Sequence, residues 1–243
     1  MKPDLFLNRS AIYVFIIFFL FALWAFWPGY FSPLIESKEV AIKYHTHGLG
    51  MMMWCMMLIS QALLIRINKN SIHRLIGKFS YLLVPYIFFS TLDLVHSLMA
   101  EVTTWGAIDL FNLALMVNAT FLFVLLFALA IYHRKHPGLH ARYMVSTIFP
   151  LFTPVTDRLI HHHFKPILAL VPKLEGIPLV PTAGFLLADI LLLCLVVWDW
   201  SANKRKDAFL TALILVMVYH ITTLTLYQFD FWRSFGVWFA GLW

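Results

Sequence analysis

Histidine and aspartate occur one helical turn apart at two places in this chain, within stretches that are otherwise apolar. Asp93 precedes His96 by three residues, and Asp157 precedes His161 by four. In a helix, either spacing puts a carboxylate and an imidazole on one side. These two groups together suit zinc, iron, manganese or copper. With two further histidines from other segments, the sequence predicts a metal site whose candidate ligands are His47, Asp93, His96, Asp157, His161 and His220.

Further polar residues in the same apolar segments could orient those ligands or contact a bound molecule directly. They are His45, Gln61, Asp109, Asn112, Arg158 and Asp189. An aspartate beside a histidine often only fixes the tautomer of the ring. The same residues are therefore also explained by a polar network that is structural or that binds a substrate. The run "MMMWCMM" offers thioether and thiol ligands for Cu(I), but its residues wrap around the helix, and methionine is ordinary core filler.

A second histidine group occurs where two segments begin. "NSIHRLIGKFS" contains His73 and Arg74, and "HPGLHARYM" contains His140 and Arg142. Basic residues at such positions anchor helices among lipid head groups. The alternative is a second site at the cytoplasmic edge, where these four residues hold haem or an anionic ligand.

The elements that carry these residues are predicted from composition. Charged residues make up 12% of the chain, hydrophobic residues make up 61%, and the mean hydropathy is +0.81. A soluble domain is usually about 25% charged, so the chain is predicted to be an all-α, polytopic membrane helix bundle in one domain, 1–243. A bilayer core takes about 20 helical residues. Seven transmembrane helices are predicted, at 11–31, 47–66, 79–99, 107–132, 142–161, 179–200 and 208–228, and "FDFWRSFGVWFAGLW" is predicted to be a short C-terminal interfacial helix.

The distribution of lysine and arginine predicts the orientation. With seven spans, twelve of these residues lie on the side of the N-terminus and six on the other. Basic loops stay in the cytoplasm, so we expect a bacterial inner-membrane protein with a cytoplasmic N-terminus and a periplasmic C-terminus. The basic residues do not cluster as a nucleic-acid-binding face would require. The expected partners are the lipid bilayer and a small apolar or lipid-like ligand, and the composition is also compatible with a homo-oligomer or a membrane partner subunit.

Three ordered motifs resemble those of a group of predicted multi-helix membrane proteins of Bacteroidetes-like bacteria. "HTHGLGMMMWCMMLISQALLIR" is similar to H-G-x-x-M-x-x-W…Q, "HRLIGKFSYLLVP" to H-R-x-x-G-K-x-S, and "HARYMVSTIFPLFTPVTDR" to H-x-R-Y-M…P-x-x-x-R. The resemblance covers about residues 45–160 and implies no particular activity. It does place weight on His47, His73, His140 and Arg158.

Two looser likenesses suggest cofactors. Membrane proteins of haem and cytochrome oxidase assembly, and cytochrome b561-type bundles, ligate haem with histidine pairs on facing helices, which implies haem b here. Seven-helix zinc hydrolases similar to adiponectin receptors and alkaline ceramidases share the predicted topology. Their H-x-x-x-H on the last helix is absent, because the last predicted span contains His220 alone.

Three functions follow from these residues. The first is a membrane protein with an outward-facing, His- and Asp-lined polar cavity that binds iron, zinc or haem for redox or metal-assisted chemistry. The second is a non-catalytic ligand-binding, transport or assembly protein. The third is a zinc-dependent lipid hydrolase. The residues are therefore compatible with an enzyme and also with a protein that catalyses no reaction.

Overall fold

The protein is almost entirely helical in a computed structural model that describes residues 3–242. The long helices are α1 (Pro3–Phe26), α3 (Ile42–Arg66), α5 (Ser80–Ala100), α6 (Ala107–Tyr132), α9 (Pro181–Asn203) and α10 (Ala208–Thr225). The short ones are α2 (Ser32–Ile35), α4 (Asn70–Gly77), α7 (Pro137–Ser146), α8 (Phe152–His163) and α11 (Asp230–Ala240). A π-helical turn (Trp27–Phe31) joins α1 to α2, and 3₁₀ turns occupy Phe149–Leu151, Lys165–Ala169 and Leu226–Gln228. The strands β1 (Lys173–Leu174) and β2 (Ile177–Pro178) form a minimal antiparallel hairpin. The all-α prediction is confirmed.

Six helical segments among residues 3–242 are long and apolar enough to cross a bilayer. They are Arg9–Ile35, Ile42–Arg66, Asn70–Ala100, Ala107–Tyr132, Pro181–Asn203 and Ala208–Gln228. The predicted bounds agree with these to within a few residues at most ends. The exceptions are the first segment, Arg9–Ile35, which is longer than the predicted 11–31, and the third, which begins at Asn70 rather than at 79. Lys2, which was counted as a basic residue of the N-terminus, and Trp243 lie outside the described residues.

The predicted continuous helix at 142–161 is wrong. The structure divides this region into α7, a 3₁₀ turn and α8. The turn contains Pro150, and Pro154 follows in the first turn of α8. Proline lacks the amide hydrogen that would bond to the preceding turn, and its ring collides with that turn. Two prolines four residues apart therefore end one helix and begin another.

The helices form a closed ring around α7. Each neighbour in the order α1, α3, α5, α6, α10, α9 and α8 packs on the next, and α8 returns to α1. The short helix α7 packs on α6, α10 and α1, which places it inside this ring. This position accounts for the complete burial of Arg142, Ser146 and Thr147. The core of the ring contains Trp54, whose indole meets the rings of Phe123 and Phe127 edge-on, at centroid distances of 5.0 and 5.7 Å.

One face of the bundle collects most of the basic residues, and we call it the basic face. It contains the last turns of α3, α6 and α9 and the first turns of α7 and α10. There the Arg66 guanidinium donates to the carbonyl of Arg9 at 3.3 Å and lies over the ring of Tyr13. The opposite face contains the β-hairpin, where the Glu175 carboxylate accepts hydrogen bonds from the amides of Ala107 and Ile108 at 3.0 and 3.3 Å. Glu175 thereby satisfies two of the amides that the start of α6 leaves without helical partners.

Helix α11 closes the opposite face over α5 and α6. The indole Nε1 of Trp232 donates to the carbonyl of Leu110 at 3.0 Å. Gly236 allows close approach, because a Cβ there would lie 2.7 Å from the ring of Trp105. The helix is thus fixed to the bundle along one side.

Candidate functional site

The six predicted metal ligands lie in the half of the bundle near the opposite face, but the structure distributes them among different partners. Asp93 forms an ion pair with Lys43, with 3.2 Å between Nζ and Oδ1. His96 is buried, and its ring meets the edge of the Phe239 ring on α11 at 5.6 Å. The two residues are therefore one turn apart on α5 but have separate surroundings.

His47 lies between α3 and α5. Its Nδ1 is 3.2 Å from the hydroxyl of Thr91, on α5. Arg158, from α8, lies near both His47 and Tyr44. The guanidinium of Arg158 also lies 4.4 Å from the ring centre of Phe26 and donates to the carbonyl of Pro154 at 3.0 Å. Helices α1, α3 and α8 thus meet around one arginine.

Asp157 and His161 form the (i, i+4) pair that the sequence predicts. The imidazole Nδ1 is 3.0 Å from the backbone carbonyl of Asp157 and 3.5 Å from its carboxylate. His161 is exposed, as are His162 and His163, and the His163 ring lies 4.8 Å from that of Trp24. This triplet belongs to the surface of the opposite face.

His220 has the most defined surroundings of the six. Its Nδ1 lies 3.1 Å from each carboxylate oxygen of Asp189, on the neighbouring helix α9. Its ring stacks on that of Phe185 at 4.0 Å with an interplanar angle of 19°. The side chain is 6% exposed. The prediction placed Asp189 as an orienting or ligand-contacting residue, and the structure puts it in direct contact with His220.

Three other predicted supporting residues, His45, Asp109 and Asn112, do not contact any of the six predicted ligands in the contacts described below. His45 Nδ1 is 2.8 Å from the hydroxyl of Tyr30. The Asp109 carboxylate accepts a hydrogen bond from the amide of Gly106 at 2.9 Å and so caps α6. Asn112 is half-buried on α6.

On the basic face the structure brings His73 and His140 together. Their ring centres are 6.4 Å apart and their planes nearly perpendicular, at 82°. The Nδ1 of His140 lies 2.8 Å from the carbonyl of Ala130, at the end of α6. A carbonyl only accepts, so Nδ1 carries the proton, and Nε2 of the neutral ring is left with its lone pair. We call these two residues the His73–His140 pair.

Buried polar atoms of His73 and Gln61 lie beside this pair. Nδ1 of His73 and both amide atoms of Gln61 are buried and have no hydrogen-bond partner among the described residues. His73 lies against the backbone of Gln61. The Gln61 Oε1 is 3.5 Å from where a Cβ on Gly77 would lie. Helices α3 and α4 thus bring the unpaired Gln61 amide and the His73 ring to the place where α7 presents His140.

The two arginines of the predicted cytoplasmic-side site have different surroundings, since Arg74 lies near His73 whereas Arg142 is engaged elsewhere. Arg142 is fully buried, and its Nε and Nη2 donate to the two Asp199 oxygens at 2.8 and 2.7 Å. Its Nη1 donates to the carbonyl of Gly138 at 2.8 Å. Arg74 is exposed on α4. Arg142 therefore fixes α7 to α9, and its donors are engaged within the protein.

Sequence reasoning did not identify Asp199 as a functional residue. A signal was present, since "VVWDW" places a carboxylate in an apolar segment that ends one turn later. A buried carboxylate requires a paired cation. Neither Arg142 nor Asp199 could be matched to the other from sequence, because they are far apart in the chain and meet only through the ring of helices.

No group of three or more His, Cys, Asp or Glu side chains that could hold a metal ion occurs among residues 3–242. The chain matches no protein-family model, no curated protein and no solved structure. Its function is therefore inferred from the site itself.

Proposed function

We propose that the protein is a multi-pass inner-membrane protein that binds a transition metal, as a bare ion or as haem b, between His73 and His140. The observation that carries the proposal is the His73–His140 pair itself. Imidazole nitrogens suit zinc, copper and iron. Two imidazoles that bind one metal through bonds of about 2.0 Å place their ring centres roughly 5 to 6.5 Å apart.

The ring separation of 6.4 Å lies at the upper end of that range. If a metal ion or haem iron were bound here, His73 and His140 would be the side chains that hold it, and the metal would supply Lewis-acid or redox chemistry. His140 also has the backbone hydrogen bond at Nδ1 that orients a ligating histidine and sets its tautomer. The Gln61 amide is available to a further ligand atom or to a propionate-like group.

The anion-binding alternative for this face is less favoured, because Arg142 already holds Asp199. Without Arg142 the site retains the two imidazoles, the Gln61 amide and the exposed Arg74, and paired imidazoles are a set that suits transition metals. The zinc lipid hydrolase has no specific support in these contacts.

We further propose that residues 137–163 cross the membrane as a seventh, broken span. His140 contacts the end of α6, and Arg142 contacts the end of α9, so these two helices end at the same face. Glu175 contacts the start of α6 at the other face. The chain must return across the bundle between α6 and α9, and α7 and α8 are the segments that do so. Irregular backbone is tolerated at membrane depth where protein covers it.

The basic face is then cytoplasmic, which agrees with the excess of lysine and arginine on it. The His73–His140 pair lies at the cytoplasmic edge, and α11 lies at the periplasmic surface as an interfacial helix.

The test is metal analysis by mass spectrometry, with an optical spectrum, on untagged protein purified in detergent without chelator. We expect close to one metal per chain, and a Soret band if the metal is haem iron. His73→Ala and His140→Ala should each lower the metal affinity at least tenfold, the range found when a ligand or its orienting partner is removed. His136→Ala, an exposed neighbour, is the matched control and should retain the metal.

Metal that persists in the His73→Ala/His140→Ala double variant would place the site elsewhere. Metal that disappears in His220→Ala but not in that double variant would move the site to the opposite half of the bundle. Absence of stoichiometric metal from wild-type protein would refute metal binding altogether.

A further inference from the structure

His220 and Asp189 form a second group, in the half of the bundle far from the His73–His140 pair, and we call them the His220–Asp189 dyad. Both carboxylate oxygens lie 3.1 Å from the same imidazole nitrogen, Nδ1. An ionised carboxylate only accepts hydrogen bonds, so Nδ1 carries the proton. The opposite nitrogen, Nε2, is thereby the free position of the ring.

Nε2 of His220 is buried and has no hydrogen-bond partner among the described residues. A buried polar atom left unpaired is unfavourable, because it has lost its hydrogen bonds to water without gaining another partner. The ring itself is held firmly, by Asp189 on one edge and by the face of Phe185 at 4.0 Å. The nitrogen is therefore rigidly oriented but has no hydrogen-bond partner within the described part of the protein. This is expected where a bound molecule supplies the partner.

The surface beside the dyad is apolar. Asp189 is 32% exposed, and it lies on α9 between Leu186 and Ile190, which are exposed apolar residues. On α10 the neighbouring Ile221 is exposed as well. In a bilayer these side chains face hydrocarbon, and a polar group there marks a ligand path or a proton path.

We propose that Nε2 of His220 binds the hydroxyl group of a lipid-soluble alcohol or phenol that enters between α9 and α10. A hydroxyl donates to Nε2 when the ring is neutral and accepts from it when the ring is protonated, so one group satisfies either state. The rings of Phe185 and Tyr219 pack on each other and on His220, so the imidazole lies in an aromatic environment. This inference is independent of the proposed metal site.

The experiment uses ¹⁵N-histidine-labelled protein in detergent micelles, with 2-naphthol as the probe and 2-methoxynaphthalene as its matched control. The methyl ether has nearly the same shape but lacks the hydroxyl hydrogen. The Nε2 resonance of His220 is identified by its absence from the spectrum of His220→Phe. We expect 2-naphthol to shift this resonance saturably and 2-methoxynaphthalene to bind at least tenfold more weakly.

Two variants separate binding at the dyad from general partition into the micelle. His220→Phe should abolish the saturable binding, and Asp189→Asn should weaken it about tenfold, because the amide no longer fixes the tautomer of His220. Leu193→Ala, at an exposed position one turn beyond the dyad on α9, should bind as the wild type does. Since Asp189→Asn preserves the size of the side chain, it remains informative if His220→Phe does not fold.

Equal affinity for the two probes would overturn the proposal, as would saturable binding that survives in both dyad variants. A resonance that 2-naphthol leaves unchanged would show that water or nothing occupies Nε2, and the dyad would then be structural.

Discussion

The buried ion pair between Arg142 and Asp199 predicts a large loss of stability when one partner is removed. Arg142 is 0% exposed and Asp199 is 2% exposed. In Asp199→Ala the guanidinium keeps the Gly138 carbonyl but loses both carboxylate contacts, at 2.8 and 2.7 Å. Leaving one buried charge uncompensated costs about 3–5 kcal/mol. We expect Asp199→Ala to lower the free energy of unfolding by that amount.

The same pair predicts the behaviour of a double variant. Replacing both partners with apolar residues of similar size removes the uncompensated charge, and such replacements are often neutral or stabilising. Arg142→Met/Asp199→Leu should therefore recover most of the stability lost in Asp199→Ala. The amide of Asn203, which donates to Asp199 at 2.6 Å, loses its partner in both variants and limits the recovery.

The assay is reversible unfolding in mixed micelles with increasing SDS, followed by tryptophan fluorescence. Lys38→Ala is the control, because Lys38 and Glu36 form an exposed pair with side chains 67% and 50% accessible. Exposed pairs contribute about 0–1 kcal/mol. The reasoning is refuted if Asp199→Ala unfolds within about 1 kcal/mol of the control, or if the double variant is no more stable than Asp199→Ala.

Three further predictions concern other parts of the bundle. Gly184→Ala should destabilise the contact of α8 with α9 by about 1–3 kcal/mol, because its methyl group would collide with the Thr156 hydroxyl. The double variant Gly184→Ala/Thr156→Ala should recover part of that loss, and a double variant that is equally unstable would contradict this explanation. Burial raises the pKa of Asp207, but hydrogen bonds from Arg205 and from the amide of Ala208 outweigh it and lower the pKa below its ordinary value. The stabilisation of α10 by Asp207 should therefore be present above about pH 4 and be lost as pH falls through the lowered pKa. The free energy of unfolding of Asp207→Ala should depend less on pH in that range. Cys55 is buried in the bundle, so a maleimide should label it only after unfolding. Labelling of Cys55 in the folded protein at the rate of the unfolded protein would contradict its burial.

The fold was predictable wherever hydrophobicity alone decides it. The segment 107–132 was predicted with the bounds that the structure gives, because a long apolar run there is flanked by Gly106 and by the charged stretch that follows Tyr132. The segment 142–161 failed for a local reason. Its apolar residues met the length criterion, while Pro150 and Pro154 interrupted the backbone hydrogen bonds that a continuous helix requires.

The candidate sites were predictable only in part, because contact between helices depends on their arrangement in the ring. The (i, i+4) pair of Asp157 and His161 follows from helix geometry alone, and the structure contains it. The contact of His73 with His140 does not, since it requires α4 and α7 to approach each other. The resemblance placed weight on both residues without stating that they meet. The pairing of Asp189 with His220 likewise depends on α9 and α10 being neighbours.

The broken fifth segment explains why the histidines form two groups rather than one. Its first half, α7, lies inside the ring, where Arg142 fixes it to α9 and so sets the position of His140, two residues earlier. Its second half, α8, packs between α1 and α9 at the perimeter, where it places Arg158 near His47. Loss of the Arg142–Asp199 pair should therefore disturb the His73–His140 pair while leaving the His220–Asp189 dyad intact, since the dyad is held by α9 and α10 alone. Metal content and 2-naphthol binding, measured on the same Asp199→Ala preparation, would separate the two effects, and equal loss of both would show that the two halves of the bundle are not independent.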